Sequence, residues 1–456
     1  MEKNKDRSSQ FDIMTRGPLT PLIIRLAIPT TISMLIGALY NLADTFFVSN
    51  LGTSQSGATG IVFTLITIIQ AFGFMFGQGA GSNISRRLGA RDVESASRFA
   101  SSSFFFALAL GVVIGIMGLV FLDPFMTALG STKTILPYSR IYGAYILIAA
   151  PAFMTSFVLN NILRFEGRAS IAMTGMLAGA ILNTALDPVL IYLAHMGIAG
   201  AGLSTAISQY ISFFILLSLF IMGKTQSKIS VGYISKRRDD YVNIMVTGFP
   251  SLLRQGLNSV SSMLLNIQAA AFGDQAIAAM SIVSKCCMII ICISIGIGQG
   301  FQPVAGFNYG AGKYKRVREA YLATLKLALV AVGIFVAAGL IFSGNMVSYF
   351  SKDPEVISIG TFALRAQLIA IFIAPVNMCS NMLFQSTGNS GLATITAAFR
   401  SGICFIPLII ILPGIAGITG VQMAQPIADA LASAIVVPFV VGFFKKLTEK
   451  DNLKNS

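Results

Sequence analysis

Residues 144–159 read Ala-Tyr-Ile-Leu-Ile-Ala-Ala-Pro-Ala-Phe-Met-Thr-Ser-Phe-Val-Leu, without a single charge. A strand of a membrane barrel alternates polar and apolar side chains every second residue, and this stretch does not. Outward from it, apolar runs of about 20 residues or more recur along the chain, each long enough to cross a hydrocarbon layer of roughly 30 Å as a helix. Composition agrees: 55% of the 456 residues are hydrophobic, 11% are charged and the mean hydropathy is +0.76. The sequence therefore predicts an all-α integral membrane protein in a lipid bilayer. It excludes a soluble enzyme, a secreted scaffold and a nucleic-acid binder.

The runs predict twelve spans, near residues 19–48, 57–80, 98–121, 139–160, 170–193, 199–222, 242–271, 277–301, 319–343, 358–380, 392–413 and 418–444. The net charge of +14 is distributed unevenly between them. With the N-terminus inside, 23 Lys and Arg fall in the tails and inside connections, against Lys133, Arg140 and Lys352 outside. This asymmetry predicts a multi-pass protein of the cell (inner) membrane with both termini cytoplasmic, and it accounts for the basic pI without a nucleic-acid partner. The first 18 residues lack a compact apolar core and a cleavage site, so no cleaved signal is expected. All five Cys lie inside predicted spans and read as packing residues.

The chain repeats itself at an offset of 221 residues. Ile28-Pro29 answers to Phe249-Pro250, Gly52 to Gly273, Gly77-Gln78-Gly79 to Gly298-Gln299-Gly300, Gly89-Ala90 to Gly310-Ala311, and Gly167 to Gly388. Further on, Gly197-Ile-Ala-Gly200 matches Gly414-Ile-Ala-Gly417 after a deletion of a few residues. Six spans per half keep both repeats in the same membrane orientation, related by an axis along the membrane normal. The expected organisation is a tail 1–18, an N-lobe 19–222, a basic cytoplasmic linker 223–241, a C-lobe 242–444 and a tail 445–456.

Among the acidic residues, Asp44, Asp187 and Asp429 stay within spans. An ionised Asp near a helix centre costs roughly 2.5–3.5 kcal/mol on insertion scales, and such residues commonly serve ion or proton pathways. Tyr40 precedes Asp44 by one helical turn, Asn183 stands in the same relation to Asp187, and Pro188 frees backbone polarity beside it. The bland alternative is that each Asp caps a helix end or bonds a neighbouring amide. Asp429, near the start of the last span, suits that alternative better. Pro29 lies in a first span of about 30 residues, too long to cross straight, and marks a bend or a moving hinge. Arg254 and Lys285 are intramembrane cations, read as facing a cavity or as snorkelling. No phosphate loop, zinc motif or nucleophile elbow occurs, so the sequence predicts no nucleotide partner, no bound metal, no cofactor and no enzyme.

The runs Gly77-Gln-Gly-Ala-Gly-Ser-Asn-Ile-Ser-Arg-Arg-Leu-Gly-Ala-Arg-Asp92 and Gly298-Gln-Gly-Phe-Gln-Pro-Val-Ala-Gly-Phe-Asn-Tyr-Gly-Ala-Gly312 resemble those of the multidrug and toxic compound extrusion (MATE) family. Asn160-Asn-Ile-Leu-Arg-Phe-Glu-Gly167 and Asn183-Thr-Ala-Leu-Asp-Pro188 extend the resemblance to nearly the whole chain. It implies a V-shaped pair of six-helix bundles in a monomer that exports drug-like, often cationic or amphipathic small molecules by antiport with H+ or Na+. The matching coupling-ion positions are Asp44, Asn183, Asp187 and Thr205, with Asn160 or Asn161 nearby. Na+, where it is the coupling ion, would sit at the first four. Pro29 matches the family's first-helix bend, and Tyr40, Arg254 and Lys285 are the candidates for the substrate cavity. The alternative within the same superfamily is a flippase for a lipid-linked sugar or peptidoglycan precursor, which Arg254 and Lys285 would suit.

Overall fold

A computed structural model describes residues 10–455, apart from the side chains at 41, 42, 454 and 455. Among the described residues every regular element is helical. Twelve long helical segments succeed one another: α1 (Leu19–Ser49), α2 (Thr53–Gly89), α3 (Val93–Val120), α4 (Leu136–Phe165), α5 (Ala169–Leu193) and α6 (Ile198–Ile221), then α7 (Arg238–Ala270), α8 (Asp274–Gly310), α9 (Tyr314–Phe350), α10 (Pro354–Ile371, resuming as Ala374–Ser386), α11 (Ser390–Ala416) and α12 (Ile418–Asn455). Eleven of these are long and apolar enough to cross a membrane. The twelfth, α7, has the length but carries Arg254, Gln255, Asn258, Asn266 and Gln268, which dilute its apolar window. Two π-helical stretches interrupt the α pattern, Val189–Leu193 after Pro188 in α5 and Phe399–Cys404 in α11.

The repeat is visible in the backbone. Gly167 and Gly388 both take φ 80°, closing the turn after α4 and after α10. Gly197 precedes α6 with φ 56°, ψ −132°, and Gly417 precedes α12 with φ 59°, ψ −138°, a left-handed conformation that favours glycine. Gly200 and Gly420 each press against the backbone of the helix before, at Leu190–Ile191 and Leu412–Pro413. The true partner of Gly197-Ile-Ala-Gly200 is therefore Gly417-Ile-Thr-Gly420, at an offset of 220. The Gly414 match is a coincidence of composition, and no side chain or backbone atom crowds that glycine.

The described chain forms two compact units that differ from the expected lobes. One runs Ile32–Gly248; the other joins the described chain up to Thr31 with Phe249–Ser456. Hence the start of α1 packs with the second repeat and the start of α7 with the first. The cause is close helix packing at repeat-equivalent glycines. In the first unit Gly79 of α2 faces Ile244 and Gly248 of α7; in the second, Gly300 of α8 faces Ala27 and Gly296 faces Thr31 of α1. Pro29 and Pro250 each stand within three residues of the point where their helix passes from one unit to the other.

Both polar connections are better ordered than their composition suggests. Of the expected tail 1–18, residues 1–9 lie outside the described residues. Residues 10–16 form a short helix whose Met14 and Thr15 are buried, with Asn308 donating to the Met14 carbonyl and Lys313 to that of Thr15. The linker 223–241 is pinned along the first unit. Ser97, Ser101 and Ser102 of α3 bond the backbone at Lys228, Ser230 and Ser235, and the buried Glu166 accepts from the Gln226 and Ser227 amides, both at 2.7 Å, and from the Ser227 hydroxyl. Burial pushes the Glu166 carboxyl above the usual carboxylate range, and the donors from Ser227 and Gln226 pull it only partly back.

Candidate functional site

Asp44 and Asp187 are brought together in the first unit. Asp187 is fully buried and Asp44 is 7% exposed. The two carboxylates are close enough to interact electrostatically. Tyr142 of α4 donates its hydroxyl to Asp44 Oδ2 at 2.8 Å, while Asp44 Oδ1 is buried with no partner among the described residues. An orphaned carboxylate oxygen in a dry site is costly and is available to a cation or a proton.

Around Asp187 the amide of Asn183 organises the hydrogen bonds. In the orientation that satisfies all partners, its Nδ2 donates to Asp187 Oδ2 at 3.2 Å. Its Oδ1 accepts from Ser204 Oγ (3.1 Å), Thr205 Oγ1 (3.2 Å) and the Thr205 amide (3.3 Å). Asn183, Ser204 and Thr205 are all buried to within 1% of full enclosure. Pro188 and the π-helical stretch behind it loosen the α5 ladder beside the carboxylate, as is frequent at functional sites. Tyr40 meets the side chains of Thr205 and Gln209, so the residue one turn before Asp44 reaches the same network.

This network adjoins a cleft, whose wall takes in Tyr40, Asn183 and Gln209. Ser33, Tyr40, Gln70, Ser156, Asn183 and Gln209 contribute polar groups to its wall, and Phe153, Phe157 and Met176 its apolar surface. A few convergent polar groups in a mainly apolar wall suit an amphipathic small molecule.

Other expected residues fall elsewhere. Asn160 donates to the Ala172 carbonyl at 2.9 Å, and its repeat partner Asn381 donates to Ala393, at the same offset, at 2.6 Å. Asn161 bonds Phe157 and receives Arg164. Both are framework bonds between or along helices, apart from the carboxylate cluster. Asp429 is held by Arg400 (2.7 Å), Gln367 (2.7 Å) and Gln425 (2.9 Å), a neutralised ion pair in the second unit. Arg254 lines a second cleft, within the second unit, whereas Lys285 is exposed on α8 and does not line it.

Sequence reasoning missed Tyr142, Ser204 and Arg400. Tyr142 lies 98 residues from Asp44, so no local spacing announces it; Ser204 adjoins Thr205, and Arg400 was detectable as a cation inside the eleventh span.

The MatE family model matches residues 29–189 and again 250–411, the two repeats. Over 447 residues the chain is 27% identical to the multidrug export protein MepA of Staphylococcus haemolyticus, covering 97% of this chain and 98% of that protein. An outward-facing multidrug resistance MATE family transporter superposes with a TM-score of 0.91 at 28% identity, over 96% of this chain and 98% of the other. A MATE structure in a bent conformation also scores 0.91 at 28% identity, over 97% and 99%. Two matched ranges, which together take in more than half of the residues and fall one in each repeat, place this chain in the MatE family, as a membrane transporter and not an enzyme.

Proposed function

We propose that the protein is a secondary multidrug exporter of the cell membrane, with both termini cytoplasmic, which expels drug-like and often cationic compounds as a monomer by antiport with H+ or Na+. The observation that carries this reading is the Asp44–Asp187 cluster, buried in one unit and joined to the cleft wall through Asn183 and Tyr40. A cationic drug in the cleft and a cation at the carboxylates would compensate the same negative charge, which makes them alternatives to one another. The similarity to the staphylococcal multidrug export protein MepA supports the substrate class. Arg254 alone favours the flippase alternative.

Pro29 serves as hinge in this reading. It lies beside the point where α1 changes units, and a bent form is recorded for a similar MATE structure. The test is dye uptake into inverted proteoliposomes driven separately by a pH gradient and a Na+ gradient. Asp44→Asn and Asp187→Asn should each abolish gradient-driven transport at normal expression and melting temperature. Full transport by both variants would defeat the proposal, and stimulation by one gradient identifies the ion.

A further inference from the structure

The second unit holds its own cleft, between α7, α8, α10 and α11. It is the repeat twin of the first. At the 221-residue offset Ser33 answers to Arg254, Gly37 to Asn258, Ser156 to Asn377, Phe157 to Met378, Gly179 to Arg400 and Ala180 to Ser401, and both members of each pair line their respective clefts. Position for position, the walls correspond while the charge has changed: two neutral small residues in the first unit are arginines in the second.

The two arginines differ in their surroundings. Arg400 is neutralised, its Nε donating to Asp429 Oδ1 at 2.7 Å. Arg254 makes one long bond, 3.3 Å, to the neutral Asn381 Oδ1, and no carboxylate pairs with it among the described residues. Asn258 spends its carbonyl on the Ser401 hydroxyl at 2.6 Å and keeps its NH2 group without a partner among the described residues. Ile291, Ile295 and Met382 supply apolar wall. The α11 wall, with Arg400 and Ser401, is π-helical, an irregularity frequent at binding sites. A half-buried guanidinium with most of its donor fork unspent is complementary to a planar oxyanion.

We infer that this second cleft is an anion subsite, in which Arg254, assisted by Asn258, binds the carboxylate or phosphate monoanion of an amphipathic molecule whose apolar body lies against the isoleucines and methionine. One uncompensated guanidinium matches one negative charge. The inference goes beyond the export reading, because binding here is measured at equilibrium and without an ion gradient.

The test uses the full chain in nanodiscs of zwitterionic lipid and two fluorescent probes, dansyl-aminohexanoic acid and its uncharged primary amide. The unaltered protein should bind the acid at least about tenfold more tightly than the amide, the order of a charge-assisted hydrogen bond. Arg254→Gln should bring the two affinities together while still binding the amide, which reports that the cleft is formed. Arg254→Lys should retain part of the preference, having the charge without the fork. Competition by a short-chain phosphatidylglycerol, compared with competition by the undansylated acid, separates a lipid phosphate from a drug-like carboxylate as the source of the anion; displacement by either supports the subsite. Equal affinity for acid and amide in the unaltered protein overturns the inference without any variant having to fold. An undiminished preference in Arg254→Gln overturns it as well.

Discussion

The crossing of α2 with the start of α7 in the first unit gives a demanding test of the exchanged helix starts. A Cβ added at Gly79 would overlap the Ile244 carbonyl oxygen and stand 3.0 Å from its carbon and 3.1 Å from the Gly248 nitrogen. A Cβ added at Gly248 would overlap the Met75 carbonyl oxygen and stand 2.7 Å from its carbon. In both cases the obstacle is helix backbone, which cannot rotate away as a side chain can, so the helices must separate. Overpacking of this kind costs about 1–3 kcal/mol and sometimes more. Against it, Gly→Ala inside a helix gains about 0.5–1 kcal/mol.

Gly79→Ala and Gly248→Ala should therefore each lose about 0.5–2 kcal/mol net. Gly442→Ala in α12, where no atom lies within 4 Å, should be neutral or slightly stabilising. Both substitutions open the same crossing, so the double variant should cost clearly less than the sum of the single ones. Thermal melting of the purified protein in one detergent measures all four. If Gly79→Ala melts with or above Gly442→Ala, α7 does not start against α2 and the unit boundaries are wrong.

Further outcomes are expected. Drug affinity should fall as the coupling ion rises, and ion affinity should fall by the same factor at saturating drug; two-way calorimetric titration checks the equality, and unequal factors exclude the shared-charge mechanism. Glu166, raised by burial, contributes stability that is complete below the ordinary carboxylate range of about 4.3–4.5 and is lost as pH rises through its folded value. The melting-temperature advantage of the parent over Glu166→Gln should therefore shrink as pH climbs from 4 to 8, and an advantage that grows with pH contradicts the burial argument. Asp429→Asn, which strands Arg400, should cost about 3–5 kcal/mol, whereas the Arg400→Met/Asp429→Leu pair should cost much less; equal losses would show that the ion pair is not the unit of stability.

Much of the fold was legible because membrane insertion leaves a strong imprint: apolar runs give the helices and a constant offset the repeat. Residues that act through their own helix were legible too, with Asn183 found from its four-residue spacing to Asp187. What the sequence could not disclose are contacts made by tertiary packing. The exchange of helix starts depends on how closely Gly79 and Gly300 let another backbone approach, and a glycine in a run looks the same whether it faces a helix or open space. Tyr142 reaches Asp44 across helices. Asn160, attractive as a polar residue near the cluster, proves to be framework, a role visible only when its bond to Ala172 is seen to recur as Asn381 to Ala393. The same limit misplaced the last repeat match, where backbone conformation at Gly197 and Gly417 decides what identity at Gly414 had suggested.

The buried carboxylate pair has no counterpart in the second repeat. Bonds that hold the helices recur in both units, whereas the positions equivalent to Asp44 and Asp187 are Leu265 and Leu408, and the second unit's buried acid, Asp429, is committed to Arg400. Burying a free carboxylate is expensive, so two uncompensated clusters would tax stability twice. In the second cleft the wall position equivalent to Ser33 carries a positive charge, on Arg254. The shared framework keeps the two units geometrically alike, so that a change of lining residues alters what each cleft binds without altering how its helices pack.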